Sequence, residues 1–147
     1  MAEKKFNLRI ITPHEVALDE QVDMAIMRCT TGDMGVMFGH EAHCAVLDYG
    51  ILRIFNDEQS ERWLAVYGGL AQIKDNVLTV LTGGIEWPHE VNVKSAQEQR
   101  EHIKQRLREH EDDVTIRRDE VLLRRALVQI ELSSYPHLAK TDEYNYD

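Results

Sequence analysis

Residues 63–81 read WLAVYGGLAQIKDNVLTVL. Two apolar runs, Leu70-Ala71-Gln72-Ile73 and Val77-Leu78-Thr79-Val80-Leu81, flank the polar Lys74-Asp75-Asn76. Short runs on either side of such a turn predict a β-hairpin. Trp63 to Tyr67 predicts one more strand, ended by Gly68-Gly69.

The same pattern continues outward to the N-terminus. Phe6, Leu8 and Ile10 alternate with Asn7 and Arg9, and Thr12-Pro13 ends the run. Val22, Met24 and Ile26 alternate with Asp23, Ala25 and Met27. A turn at Thr31-Gly32-Asp33 leads to Val36-Met37-Phe38, then to Ala45-Val46-Leu47 and to Gly50–Phe55, closed by Asn56-Asp57. Many short strands with turn punctuation predict an antiparallel β-sandwich over residues 1–87. No strand–helix alternation suggests a parallel sheet.

The composition changes after Pro88, and no glycine follows Gly84. A polar helix is predicted from Asn92, its N-cap, to about Glu111, with Val93, Ala96, Ile103 and Leu107 as a thin apolar stripe. Asp112-Asp113 breaks it. A second helix, about Thr115 to Leu132, carries Ile116, Leu123, Leu127 and Ile130 on one side. Arg117, Arg118, Arg124 and Arg125 share the other side, because they repeat every seven residues. Residues 88–147 therefore form an antiparallel two-helix hairpin with a frayed tail from about residue 134, and the fold class is α+β.

Composition narrows the function. The chain has 147 residues and a net charge of −9. An acidic chain repels phosphate backbones, so nucleic acid is a poor partner. No apolar run is long enough to insert into a bilayer, and the opening MAEKKFNLRI lacks the apolar core of a signal peptide. Two cysteines, Cys29 and Cys44, make no disulfide framework and fit a reducing cytosol.

Residues 32–44, GDMGVMFGHEAHC, hold the residue types of an active site. A P-loop needs a Lys after its glycines, and none is present. A zinc protease needs His-Glu-x-x-His, and His40-Glu41-Ala42-His43 is one residue short. A small metal-dependent hydrolase using His40, His43 and Cys44 remains the enzyme alternative. Cys29, on an alternating strand, reads as a small buried filler rather than a nucleophile. On these grounds alone the chain is a β domain with a weakly held helical hairpin, an interaction module.

The order of segments from Ile10-Ile11-Thr12-Pro13 to Leu132 resembles the epsilon subunit of F-type ATP synthases. The residues that carry the likeness are Thr31–His40, Gly50–Ile54, Gly68–Ile73 and Asn76–Leu81. Phe38 stands where the family commonly has Pro. The resemblance implies a non-catalytic rotor subunit of the central stalk. It joins the gamma subunit to the c-ring and couples ion flow to ATP synthesis. Gly32, Asp33, Gly39 and His40 would sit on loops at one end of the sandwich, facing the c-ring. The hairpin would extend into the alpha/beta catalytic hexamer and inhibit hydrolysis, with Arg117, Arg118, Arg124 and Arg125 against acidic loops. The expected location is the cytoplasmic face of a bacterial plasma membrane, peripheral. Some members bind ATP through Ile/Leu-Asp-x-x-Arg-Ala. Here that motif reads Val91-Asn92-Val93-Lys94-Ser95-Ala96, so the acid and the base become Asn92 and Ser95. The resemblance thus implies weak or absent ATP binding, no cofactor and no metal.

Overall fold

A computed structural model of the protein describes residues 4–57, 60–109 and 112–133. The chain divides into two compact units, Met1–Glu86 and Trp87–Asp147.

The first unit contains strands β1 (Phe6–Ile11), β2 (Val16–Val22), β3 (Met24–Cys29), β4 (Gly32–Met37), β5 (His43–Asn56), β6 (Ser60–Lys74), β7 (Val77–Leu81) and β8 (Ile85–Glu86). Seven follow the order β2-β1-β7-β6-β5-β3-β4, and β8 pairs with β6. The sheet doubles over on itself, so that Arg62 on β6 forms an ion pair with Glu20 on β2, which is not its neighbour in the sheet. Between the layers lie Phe6, Leu8, Ile10, Val36, Leu52, Ile54, Leu64, Ile73, Leu78 and Val80, each at most 1% exposed. Burying one such side chain stabilises the fold by about 2 kcal/mol.

Four features differ from the sequence reading. Gly68-Gly69 does not end a strand. Both glycines have positive φ, 73° and 118°, and β6 runs straight through them. Residues Leu64 to Tyr67 are buried on both faces, whereas beyond the glycines Ala71 and Ile73 are buried and Leu70 and Gln72 exposed. A Cβ at Gly69 would fall on the carbonyl oxygen of Leu81, so the close approach of β7 requires glycine there. Likewise β5 joins what reads as two strands into one.

The second difference is at Asp23, where the chain bends between β2 and β3. Its carboxylate accepts from the Asp57 amide and faces Lys5, whose Nζ lies 3.4 Å from Asp23 and 3.3 Å from Asp57. The bend changes which β3 residues face inward. Ala25, Met27 and Cys29 are buried, and Met24 and Ile26 are only half-buried. Third, β1 and β7 pair in parallel, Asn7 with Val77 through Ile11 with Leu81, whereas every other ladder is antiparallel. The two strands meet by sandwich closure and not by a hairpin, so no turn forces them antiparallel.

In the second unit a 3-10 turn at Pro88–Glu90 precedes α1 (Val93–Glu109) and α2 (Asp113–Ser133). Asn92 caps α1, accepting from the Ser95 amide at 3.0 Å. Asp112 caps α2, accepting from the Val114 amide and the Thr115 hydroxyl. The helices bury Ala96, Ile103, Ala126, Val128 and Leu132, together with one carboxylate, Asp119. Here lies the fourth difference. Leu127, expected on the inner stripe, is 43% exposed, and Asp119 takes an inward position. The tail from residue 134 lies outside the described residues.

Candidate interaction surfaces

Gly32, Asp33, Gly39 and His40 are not brought together. Gly32 and Asp33 begin β4 as exposed strand residues, and Asp33 stands opposite Arg28. Gly39 and His40 follow the other end of the same strand, roughly 20 Å away along an extended chain. The expectation of one shared end is corrected by the length of β4. Gly39 has φ 81°, and its amide donates to Asn76 Oδ1 at 2.7 Å, tying this loop to the β6–β7 turn. The ring of His40 donates from Nδ1 to the Glu41 carbonyl at 2.7 Å. Phe38 is a turn residue, 42% exposed, with Lys4 Nζ 5.4 Å from its ring centre.

A surface that the sequence reading missed lies across the outer side of the sheet. Val46 pairs with Leu70, Leu70 with Leu81, Leu81 with Ile11, and Ile11 with Val16 across a bulge. Val46, Leu70, Leu81 and Val16 are 46–54% exposed and Ile11 is half-buried, so five adjacent strands contribute to one apolar row. At the usual strand spacing it is roughly 19 Å long. The next row is polar: Cys44, Gln72, Thr79, Arg9 and Asp19, with Arg9 and Asp19 3.8 Å apart. A continuous apolar row with a polar border is the pattern of a protein interface. Its signal in the sequence is an outward apolar residue beside each inward one, Val46 beside Leu47 and Leu81 beside Val80. Only the strand register reveals that these residues line up.

Helix α2 carries a second such surface. Arg117, Arg118, Arg124 and Arg125 are all exposed, as the spacing predicts. Val114, Val121 and Val128 also repeat every seven residues, and by helical geometry their line runs between the pair Arg117/Arg124 and the pair Arg118/Arg125. Val114 is 75% exposed and Val121 45%, whereas Val128 is buried. The arginines therefore flank an apolar seam. The opposite side of α2 faces α1, where Arg106 Nη2 donates to Asp119 Oδ1 at 2.8 Å.

The chemical alternatives meet specific obstacles. His43 and Cys44 are consecutive on β5 and point to opposite faces of the sheet. Among the described residues no three His, Cys, Asp or Glu side chains could hold one metal ion. Cys29 is 5% exposed. Burial, and then the negative charge of Asp33, push its thiol pKa up, away from the thiolate that a nucleophile needs. Around the ATP motif, Asn92 serves as a helix cap and Glu86 accepts a hydrogen bond from the Tyr67 hydroxyl at 2.6 Å. No described helix is long and apolar enough to cross a membrane.

Residues 5–88 match the family described as ATP synthase, Delta/Epsilon chain, beta-sandwich domain. The chain is 38% identical over 102 residues to the ATP synthase epsilon chain of Alkaliphilus oremlandii, covering 69% of this chain and 75% of that one. It is 32% identical over 129 residues to the epsilon chain of Caldicellulosiruptor bescii, covering 88% and 93%. In fold it is similar to a chain of the Euglena gracilis mitochondrial ATP synthase, OSCP/F1/c-ring assembly, with a TM-score of 0.80 at 22% identity over 89% of this chain and 82% of that one. A chain of the Tetrahymena thermophila central stalk/c-ring assembly superposes with a TM-score of 0.65 at 13% identity, covering 91% and 100%. With its sandwich matched throughout and the Caldicellulosiruptor bescii relative covering 88% of its length, the chain belongs to the ATP synthase delta/epsilon family, as an accessory subunit and not a catalyst.

Proposed function

We propose that the protein is a rotor subunit of the central stalk. Its sandwich, residues 1–87, anchors to a gamma subunit and meets the c-ring, so that ion-driven rotation reaches the catalytic hexamer. Its hairpin, residues 88–147, restrains ATP hydrolysis. The observation that carries this reading is the outward apolar row of exposed Val46, Leu70, Leu81 and Val16 with half-buried Ile11 among them. A rotor part must hold its neighbour through every turn, and a continuous apolar strip with a polar border supplies affinity and register together. Asp33 and His40, being at opposite ends of β4, contact different neighbours, and only one of them faces the c-ring. The arginine-flanked valine seam of α2 fits an acidic surface with an apolar groove, which is the chemistry expected of the alpha/beta hexamer. The subunit then works peripherally, on the cytoplasmic face of a bacterial plasma membrane.

The test is ATP hydrolysis by a complex of alpha, beta and gamma subunits. Three chains are added: full-length, ending at Trp87, and full-length Leu70→Ser/Leu81→Ser. The full chain binds and slows hydrolysis. The shortened chain binds and does not slow it. The double variant melts at the native temperature yet binds at least tenfold more weakly, a loss of about 1.4 kcal/mol. Native binding by the double variant removes the observation on which the reading stands.

A further inference from the structure

The geometry assigns to Arg106 and Asp119 the role of a register key: they make closure of α1 on α2 all-or-none. Asp119 is 2% exposed, on the same side of α2 as the buried Ala126 and the half-buried Leu123 and Ile130. A carboxylate there is tolerable only beside a cation. Arg106 provides it, with Nη2 donating to Oδ1 at 2.8 Å. Neighbouring registers offer nothing comparable. Sliding α2 by one turn along α1 sets Asp119 beside Ile103 and His102 in one direction and beside the like charge of Glu109 in the other, and neither offers the forked donors of a guanidinium.

The pair selects the register without locking it. The attraction within a buried ion pair is largely cancelled by the loss of hydration, so the pair adds little net stability. When the helices separate, both ions regain water. The closed hairpin is thus specified sharply and held lightly, and slipped states are excluded. Its two members are also unequal. The Arg106 side chain is 39% exposed and that of Asp119 only 3%. Removing Arg106 takes the guanidinium away from a buried carboxylate, whereas removing Asp119 leaves an arginine that can reach water.

The test uses the free full-length chain, with amide hydrogen exchange across both helices. Arg106→Met raises exchange at least tenfold, and Asp119→Leu leaves it at or below the native rate. The double variant Arg106→Met/Asp119→Leu regains protection but loses register. Spin labels at the exposed positions Glu98 and Leu127, in a chain lacking Cys29 and Cys44, give one narrow distance in the native sequence and a broadened or split one in the double variant. Unchanged exchange in Arg106→Met, opening in Asp119→Leu, or a single narrow distance in the double variant overturns the key. Its effect on ATP hydrolysis rests on reading the hairpin as the brake. Arg106→Met that opens the hairpin without altering inhibition leaves the key standing and removes the brake.

Discussion

The sandwich and the hairpin are built on different principles. The sandwich keeps large apolar side chains such as Phe6, Leu8 and Leu64 wholly out of water. The hairpin buries few, two of its inward residues are alanines, and one is an aspartate. The first unit is therefore specified by volume and the second by a few caps and one ion pair. A part that stays attached needs a deep core, and a part that changes state needs a shallow one.

The sharpest way to break this contrast is to cut the two cores equally. Leu64→Ala should cost the sandwich about 3 kcal/mol and lower its melting temperature markedly. Ile103→Ala should leave that transition in place and raise hydrogen exchange in α1 and α2 alone. A single melting transition shifted alike by both variants would show one cooperative unit instead of two. Next in size is a comparison of glycines. Gly69→Ala should cost about 2 kcal/mol, because both the backbone and the Leu81 carbonyl oppose it. Gly39→Ala meets nothing within 4 Å and suffers only its positive φ, so urea midpoints should separate the two.

The smallest expected effect concerns the two thiols. The folded Cys29 holds its proton to higher pH than the ordinary value of 9.0. Above that value the unfolded thiol has lost a proton that the folded one retains, so the folded state binds more protons and stability falls as pH rises. Below it the group is neutral in both states and has no effect. Comparing urea midpoints of the native chain and Cys29→Ala from pH 7 to 10 should show a decline peculiar to the native chain, beginning near pH 9. At neutral pH iodoacetamide should modify exposed Cys44 and spare Cys29 until urea unfolds the sandwich.

Much of the fold was legible because most of its signals are local. The hairpin at Lys74-Asp75-Asn76 and the cap at Asn92 each depend on a few consecutive residues. Gly68-Gly69 misled because two glycines read as a stop, and only the proximity of β7 explains why a strand would pass through them. The buried place of Asp119 was not legible for a similar reason. A carboxylate on an amphipathic helix reads as solvated unless the sequence also discloses that Arg106 stands opposite. The apolar row was illegible for the most physical reason of all. Its members come from five strands, and register is decided by the closure of the whole sheet.

The parallel pairing of β1 with β7 has a consequence for how the protein is made. Asn7 and Val77 are 70 residues apart in the chain (77 − 7) yet share a ladder. Such distant partners make folding slow relative to a chain of local contacts, on the order of milliseconds to seconds. During synthesis β1 leaves the ribosome early and waits for β7, exposing one edge to other nascent chains meanwhile. The helices are translated only after the last strand of that ladder, so α1 and α2 are appended to a sandwich already able to close.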